Sequence, residues 1–557
     1  MKNTTLINAA KKLCYTAVTI LLQLTVFSSC SGVQHPSTAD RIKDTSTNIH
    51  RNDSMIAGSF KAESGIRFDS SVIKKFLGEN PLFKEFTQAY NDFYKTNNFN
   101  YVWYDKKGLI ESSNILIARL MNGNEEGVAD SIPYKEKFLK LIHYNDTTMQ
   151  ANESAPDINT ELMLTGQYFN YAKTVWAGQL NNKAASLNWY LPRKSISYAD
   201  LLDKNIKAGD IKGDEDNLVM PQYNGLKKAL SQYRQIEKEY DQLTLQSLKK
   251  NAVIKPGDTS SIIHAIAQKL MLLGDNGTEN ISGTGNLYSA NLANAVIRFK
   301  ARHGLKADSL INNNIIKELN VPLKKRIEQL IVNMERLRWI PTDRNSPEFL
   351  LVNIPEFTLH YYENHKDVWD CNVVVGTPMT KTVIFSGDLK YVVFSPYWYV
   401  PPSILKKEVL PGIKRSSSYL AKHNMEWNGG QVRQKPGSSN SLGLVKFLFP
   451  NSNSIYLHDT PSKSLFNEDN RAFSHGCIRV AKPRDLAIRI LRQDSTWTPA
   501  KIDAAMNAGK EKYVTLKKTI PVYIGYFTSF IDNNGAVNFR QDVYNRDERL
   551  LQLLIKN

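Results

Sequence analysis

The sequence predicts a multidomain α+β protein in which helical segments precede a β-rich domain. Its 557 residues suit roughly three to five domains of ordinary size. Between residues 67 and 345, apolar residues recur at helical spacing. From residue 348, β-branched and aromatic residues cluster between turns, as in FLLVNIPEFTLHYY, which is typical of strands.

Composition and charge limit the classes of function. Hydrophobic residues make up 42% of the chain and charged residues 22%, proportions that fit a globular protein and exclude a disordered one. The formal charge of +17 favours an acidic partner, such as nucleic acid, anionic lipid or an anionic wall polymer. Only four cysteines occur, without a CxxC pair, which excludes a disulfide-stapled scaffold, a zinc ribbon and a thioredoxin-type site.

The N-terminus predicts export. Lys2, Lys11 and Lys12 precede an apolar run that ends at Phe27. This run of about 14 residues is shorter than the ~20 that a membrane-spanning helix needs. We therefore predict that residues 1–29 form a secretory signal peptide.

The residues after the apolar run predict a lipid anchor. The ending Phe27-Ser28-Ser29-Cys30 resembles a bacterial lipobox, which implies that Cys30 is lipidated and becomes the mature N-terminus. An ordinary signal peptide or an uncleaved anchor is the alternative. Residues 30–66 are polar and predict a tether. We expect an exported, periplasm-facing protein held to a membrane through Cys30, a location that excludes nucleic acid as its partner.

Three helical units are predicted before the β-rich part. Residues 67–250 carry apolar and aromatic stripes that predict a helical scaffold domain. Residues 251–322 predict a three-helix module, whose second helix has an apolar face from Leu292 to Phe299. Residues 323–345 predict a linker helix.

The three-helix module resembles a known family. Its run AVIRFKARHGLKADSLINNNIIKEL is similar to the small peptidoglycan-binding domain. The resemblance implies that residues 251–322 bind glycan of the cell wall. Lys300 and Ser309 replace the glutamine and glycine that are usual in that family, and a purely structural spacer is the alternative.

The β-rich part is predicted to form two units. Residues 346–516 have the strand pattern of one domain, and Cys371 within it is expected to be a small core residue. Residues 517–557 contain TIPVYIGYFTSFID and predict a C-terminal extension with further strands.

The segment IYLHDTPSKSLFNEDNRAFSHGCIRV carries the chemistry. An exported thiol outside a disulfide needs an explanation, and Cys477 follows a tight glycine turn among cationic residues that favour a thiolate. A nucleophilic cysteine needs a base within about 3 Å. In an extended chain His475 shares a face with Cys477, whereas His458 reaches it only if the two strands pair. The N–H groups of Gly476 and Cys477 are candidate oxyanion donors. A metal site and an inert core cysteine are the alternatives.

HDTP followed by SHGCIRV resembles the active-site motif of the L,D-transpeptidases with a YkuD-type catalytic domain. LVNIPEFTL, VVGTP, SPYWYVPPSI and IPVYIGYFTSFIDNNGAVNFRQDVYNRD resemble further segments of the large, YcbB-like members. Those members combine a helical scaffold, a small wall-binding domain and a β-rich L,D-transpeptidase catalytic domain. The resemblance implies that Cys477 is the acylated nucleophile and His458 the general base.

The resemblance also assigns roles around these two residues. The carbonyl of Asp459 is expected to orient His458, because a side chain at the next strand position points to the other face. His475 is expected to flank the nucleophile and shape the site, and residues 402–445 look like an insert that caps it. Substrate contacts are expected of five further residues: Arg479, Arg471, Ser474, Trp398 and Tyr399. Core packing is the alternative for the two aromatic residues.

The resemblance implies acyl transfer between stem peptides of peptidoglycan. The thiol would attack the third residue of a tetrapeptide stem, and a second stem would take the acyl group, which gives a 3→3 cross-link without metal, cofactor or ATP. Carbapenems are expected to acylate the same thiol. Water, a D-amino acid or an amine-bearing protein is an alternative acceptor. A non-catalytic wall-binding lipoprotein is an alternative of another class.

Overall fold

The computed structural model of the chain describes residues 65–556 apart from 106–107, 129–131, 144–154, 209–217, 282, 284 and 343–345. Helices dominate its first half and a large mixed sheet its second half, which confirms the predicted α+β class. The predicted signal peptide, Cys30 and almost all of the tether lie outside the described residues. Within the described residues, no helix is both long and apolar enough to cross a membrane.

The scaffold region packs its helices around an aromatic core. Tyr90, Tyr94 and Phe169 are buried and lie edge to face or stacked against one another. Its elements are α1 (Ser71–Glu79), α2 (Thr87–Thr96), β1 (Tyr104–Asp105), β2 (Gly108–Leu109), α3 (Glu111–Met121), α4 (Lys135–Leu141), α5 (Ile158–Tyr171), β3 (Trp189–Tyr190), α6 (Tyr198–Ala208) and α7 (Pro221–Gln242). Shorter 3-10 segments lie at Pro81–Phe86, Gly123–Glu126 and Asn181–Leu187, and a π-helical segment at Ala172–Gly178.

The predicted three-helix module is present as α8 (Ile263–Leu272), α9 (Ala290–Arg302) and α10 (Asn313–Leu319). The Ser289 hydroxyl caps α9 by accepting from the Leu292 N–H at 3.3 Å. At the other end of α9, Arg302 is buried against Asp275, and the Arg540 guanidinium donates to the Arg302 carbonyl at 2.8 Å. These contacts attach the module to the C-terminal part of the chain.

The helix predicted as a linker is instead a core helix. It forms α11 (Leu323–Trp339) and packs against α7. Its charged residues suggest an exposed surface, but those near its C-terminal end are buried in pairs: Arg338 contacts Glu335 at 3.0 Å, and Arg336 contacts Asp547 at 2.7 Å. Paired charges are tolerated in a core, and for this reason the sequence pattern underestimates the burial of this helix.

The catalytic region is built on one ten-stranded sheet. Its strands run in the order β11-β12-β14-β6-β5-β4-β15-β7, and β7 pairs back with β11, so that the path closes. Their bounds are β4 (Glu348–Asn353), β5 (Thr358–Glu363), β6 (Lys366–Gly376), β7 (Ile384–Phe394), β11 (Val445–Leu448), β12 (Leu457–His458), β13 (Ala472–Ser474), β14 (Ile478–Val480) and β15 (Lys512–Gly525). β3 from the helical half adds to β7, and β13 pairs with β6.

The predicted boundary at 516/517 is wrong, because it falls inside a central strand. β15 pairs with β7 both before the boundary, at 512–515, and after it, at 520–524, so both sides of the boundary belong to the main sheet. The remaining elements are two 3-10 segments, Ile354–Glu356 and Lys463–Asn467, and then α15 (Pro483–Leu491), α16 (Pro499–Met506), β16 (Ser529–Ile531), β17 (Val537–Phe539) and α17 (Asp547–Lys556).

The predicted capping insert forms a small sheet with its own core. This sheet has the order β8-β10-β9, and Val400, Val409 and Val432 are buried together beneath it. Its strands are β8 (Trp398–Tyr399), β9 (Met425–Asn428) and β10 (Gln431–Gln434). Its helical segments are α12 (Pro402–Ile404), the π-helical Leu405–Val409, α13 (Leu410–Arg415) and α14 (Tyr419–Lys422). We call residues 398–434 the cap.

Candidate active site

Two adjacent parallel strands bring the segments of the predicted nucleophile and base together. In their ladder Leu457 lies beside Ile478, and His458 lies beside Arg479. Leu457 and Ile478 are fully buried in the core. Because side chains alternate along a strand, His458 and Arg479 lie on the opposite face. Cys477 directly precedes β14, and its thiol donates to the Ser454 carbonyl at 3.6 Å and interacts with Tyr456, which lies two residues before His458.

Hydroxyl groups hold the turn that presents the thiol. Gly476 has φ +122°, a backbone conformation that residues with a Cβ rarely adopt. The Ser474 hydroxyl accepts from the Gly476 N–H at 3.1 Å and donates to the Cys477 carbonyl at 2.5 Å. The Thr382 hydroxyl donates to the Gly476 carbonyl at 2.9 Å.

The contacts of this turn contradict the roles that we predicted for Gly476 and Ser474. The Gly476 N–H is already bound to Ser474 and is not free as an oxyanion donor. Ser474 is buried and forms the turn rather than a surface for substrate. Among the described residues, no acceptor lies within hydrogen-bond distance of the Cys477 N–H, which remains the one available donor of the predicted pair.

Residues 376–382 and Tyr544 form further hydrogen bonds that support this turn. The Thr377 N–H and the Thr380 hydroxyl donate to the Ser474 carbonyl at 3.0 and 2.8 Å. The Tyr544 hydroxyl donates to the Gly376 carbonyl at 2.7 Å and accepts from the Thr382 N–H at 3.2 Å. The C-terminal segment thereby supports the nucleophile turn through residues 376–382.

The imidazole of His458 is buried and fixed in one tautomer. Its Nδ1 lies 2.5 Å from the carbonyl oxygen of Asp459, as expected from the sequence. A carbonyl oxygen only accepts hydrogen bonds, so Nδ1 carries the proton. In the neutral ring Nε2 then has the free lone pair and is the nitrogen able to take a proton.

The Asp459 side chain holds its own backbone in place. Its Oδ2 accepts from the Leu444 N–H at 2.9 Å, and its Oδ1 accepts from the Thr460 N–H at 2.7 Å. Lys463 pairs with the same carboxylate. A Cβ on Gly443 would lie 2.3 Å from the carboxylate carbon, so only glycine fits there. The carbonyl that orients His458 is therefore positioned by several contacts.

Burial keeps both reacting groups uncharged. Desolvation lowers the pKa of His458 to about 4, with Arg479 and Lys446 acting in the same direction and the Asp459 carbonyl opposing them. Desolvation raises the pKa of the Cys477 thiol, against hydrogen bonds from Tyr456 and the charge of Arg479. At neutral pH the pair is therefore a thiol and a neutral imidazole, and a proton must move before the sulfur attacks.

Tyr456 is a site residue that the sequence reasoning missed. Its backbone and side chain favour the thiolate of Cys477, and its ring lies edge-on to the His458 ring at 5.7 Å. The signal was present in the strand-like IYLH, because residues two apart on a strand share a face.

The two predicted histidines have different surroundings. The His475 side chain is 61% exposed, and its Nε2 lies 3.7 Å from Glu408 of the cap. The shared face that we expected for His475 and Cys477 requires an extended chain, and the positive φ of Gly476 interrupts it. His458, by contrast, is only 5% exposed.

The two predicted arginines also differ. Arg471 donates to the carbonyls of Glu468, Glu356 and Phe357 at 2.9–3.4 Å, so it ties loops together and is not available to a substrate. Arg479 is half-buried beside Cys477, and burial lowers its pKa. No carboxylate in the described part of the chain pairs with Arg479.

The predicted groove residues belong to the cap. Trp398 packs partly buried against the small core of the cap, which favours the packing alternative. Tyr399 is 42% exposed, and its hydroxyl accepts from Arg433 at 3.2 Å. No cluster of three or more histidine, cysteine or acidic side chains suited to a metal ion occurs in the ranges that the structure describes.

Two family models match this chain. Residues 347–522 match the L,D-transpeptidase catalytic domain, and residues 88–230 match the Scaffold domain. The first match contains Cys477, His458 and the cap. Both agree with the resemblance drawn from the sequence motifs.

A curated relative and solved structures carry the same description. A Haemophilus influenzae protein provisionally named an L,D-transpeptidase is 33% identical over 255 residues, which cover 42% of this chain and 50% of that protein. The chain thus spans half the length of that relative. An L,D-transpeptidase from Xylanimonas cellulosilytica is 16% identical with a TM-score of 0.18, covering 50% of this chain and 100% of that one. L,D-transpeptidase 1 of Mycobacterium tuberculosis is 13% identical with a TM-score of 0.16, covering 32% and 61%. Structural similarities this low carry no conclusion about the present chain.

Proposed function

We propose that this chain, whose residues 347–522 carry an L,D-transpeptidase catalytic domain, is a cysteine-dependent transpeptidase that forms 3→3 cross-links in peptidoglycan. The observation that carries the proposal is that the turn of Cys477 leads directly into β14, which pairs in parallel with β12, the strand that carries His458. The Asp459 carbonyl leaves Nε2 of His458 as the proton acceptor.

The first half-reaction is acylation of the thiol. Nε2 of His458 takes the proton of Cys477, and the sulfur attacks the carbonyl carbon of the third stem residue, so that a C–S bond forms. The Cys477 N–H is the donor available to the developing oxyanion. The amide C–N bond then breaks, and the protonated His458 returns its proton to the leaving nitrogen of D-alanine.

The second half-reaction transfers the acyl group. The side-chain amine of a second stem attacks the thioester and loses a proton to His458. The C–S bond breaks, and the thiolate recovers that proton. One acyl bond replaces another, so the exchange needs no energy donor.

The positive charge of Arg479 beside Cys477 favours an anionic substrate. Arg479 is a half-buried cation beside the thiol without a carboxylate partner in the described residues. A carboxylate of a stem peptide is the complementary group, and a charge-assisted hydrogen bond to it would orient the donor strand. We assign substrate binding to Arg479 and not to Arg471.

The acceptor is tested by product masses. The purified protein is incubated with disaccharide-tetrapeptide, and we expect a dimer that lacks one alanine. Tripeptide alone would indicate water as the acceptor, and a mixed adduct would indicate an added D-amino acid or an amine-bearing protein. The absence of both a product and a covalent carbapenem adduct on Cys477 would leave the wall-binding lipoprotein as the better description.

The location and the wall contact are further parts of the proposal. The lipidated Cys30 would hold the protein to a membrane on its exported side, and residues 251–322 would bind glycan. Metabolic labelling with a palmitate analogue, with Cys30→Ser as the control, tests the anchor. Sedimentation of the protein with purified cell-wall sacculi tests wall binding.

A further inference from the structure

His458 lies between two cationic residues in one row across the sheet. The ladders pair His458 with Arg479 on one side and with Lys446 on the other. The row continues from Lys446 to Val393 and then to Tyr513. Residues paired in this way point their side chains to the same face. Lys446 therefore lies on the same face as His458, beside the base.

Lys446 is buried and has a defined partner. The residue is 8% exposed, and its Nζ lies 3.6 Å from Oε1 of Glu511 and 5.8 Å from the ring centre of Tyr513. The same Glu511 oxygen accepts from the N–H of Tyr397 at 2.9 Å. Burying a lysine ammonium group against a single carboxylate costs desolvation free energy, which points to a functional role for its charge.

The groups that face His458 come from three strands. Arg479 and Lys446 disfavour a protonated imidazole, and Asp459, which directly follows β12, favours it. The Asp459 carboxylate is itself paired with Lys463. Tyr456 and Cys477, which are also close by, are uncharged at neutral pH. Burial is the largest influence on the charge of the base, and the two cations act in the same direction as burial, against Asp459.

We propose that Lys446, held by Glu511, is a positioning residue whose charge acts together with burial to disfavour a protonated imidazole at His458, so that Nε2 stays able to accept the thiol proton. Because Glu511 also binds the N–H of Tyr397, directly before the cap, this ion pair links the cap to the base. The inference rests on the proposed function only in taking His458 as the base. The titration of His458 can be measured without any peptidoglycan substrate.

The test is an NMR titration of the histidine ring signals in the full chain, assigned with His458→Gln. Lys446→Met should raise the pKa of His458 measurably above its wild-type value. The acid limb of Cys477 alkylation by iodoacetamide should move to higher pH by the same amount. Lys446→Arg keeps the charge and should keep the wild-type profile.

The matched control is Lys512→Met. Lys512 lies in the neighbouring row, opposite Phe394, and its ammonium lies over the Trp497 ring at 4.7 Å. This variant should leave the titration of His458 unchanged. Lys446→Gln, which keeps a polar group at the position, serves if the methionine variant does not fold, and the same upward shift is expected.

An unchanged titration in folded Lys446→Met or Lys446→Gln would overturn the inference. An equal shift in Lys446→Arg would also overturn it, because packing and not charge would then be the cause. If the wild-type protein forms no cross-link and yet the shift appears, the proposed function fails and the inference about His458 stands.

Discussion

The base strand and the nucleophile turn are held in place by different means. His458 sits in a buried strand, and the carbonyl that orients it belongs to the next residue in the chain. Cys477 follows a turn whose shape depends on hydroxyl groups from residues far away in the sequence, among them Thr382 and Tyr544. The base is thus positioned locally and the nucleophile by tertiary contacts.

This difference teaches where the site is vulnerable. A buried strand tolerates little change at the base itself, and it is held by the neighbouring strands β11 and β14. The turn at Gly476 needs its positive φ and the support of residues 376–382. Substitutions far from the thiol are therefore expected to affect the nucleophile more than the base.

The largest expected effect is on the nucleophile. Cys477→Ala should reduce the formation of dimer from disaccharide-tetrapeptide to background, because the other free thiol in the described residues, Cys371, lies in the core. Cys371→Ala is the control, since that thiol is buried in the core and burial raises its pKa to about 11. Dimer formation by Cys477→Ala at a rate above one hundredth of wild type would remove this cysteine from the mechanism.

The second effect separates the two histidines. His458→Ala should slow acylation of Cys477 by at least ~100-fold, the usual contribution of a general base. His475→Ala should change the rate less than about threefold, because its side chain is largely exposed and contacts only Glu408. Stopped-flow acylation by a carbapenem measures both. The reverse order of effects would transfer the role of base to His475.

A smaller effect tests the support of the turn from a distance. Tyr544→Phe removes two hydrogen bonds that hold Gly376 and Thr382. Without these two bonds the turn should lose about 1–1.5 kcal/mol of stabilisation, and acylation of Cys477 should slow by roughly tenfold. Tyr90→Phe in the scaffold removes a similar buried hydrogen bond, to Leu162, and should lower thermal stability without changing the rate. Equal acylation rates in the two variants would show that the turn does not depend on this support.

The smallest expected effect is a loss of the acylation rate of Cys477 at low pH. Because the pKa of His458 is lowered to about 4, the ring is neutral above that pH and protonated below it. Acylation should therefore stay on its plateau down to about pH 5 and fall to half near pH 4. An ordinary, exposed histidine would lose half its rate near pH 6.5. A pH–rate profile of Cys477 alkylation distinguishes the two, and a midpoint above pH 6 would contradict the buried environment of the base.

Much of the fold was predictable because local patterns specify local structure. The apolar spacing around Val296 gave a helix, and the β-branched run from residue 348 gave strands. The predictions failed where charged residues turned out to be buried, and where a strand continues across a predicted domain boundary. Arg338 is buried in an ion pair within a helix predicted as a linker, and β15 crosses residue 516.

The same division applies to the site. The motif identified Cys477, His458 and the carbonyl of Asp459, because their spacing along the chain reflects chemistry that adjacent strands perform. Ser474 and Arg471 were expected to contact substrate, but their side chains form hydrogen bonds within the protein instead. The Ser474 hydroxyl and the two Nη atoms of Arg471 donate to carbonyls within the protein, and a sequence does not show which donors have already found acceptors.

The sequence by itself determined the chemical groups of this protein: a thiol in a glycine turn, a strand histidine upstream, and a family resemblance that the domain matches bear out. Only the tertiary structure showed which histidine lies on the strand that pairs with β14, why the N–H of Gly476 is not free, and that Lys446 lies beside the base. The reason is physical. The identity of each residue can be read directly from the sequence. The pairing of β11, β12 and β14, and the burial that shifts each pKa, arise only when distant segments pack together.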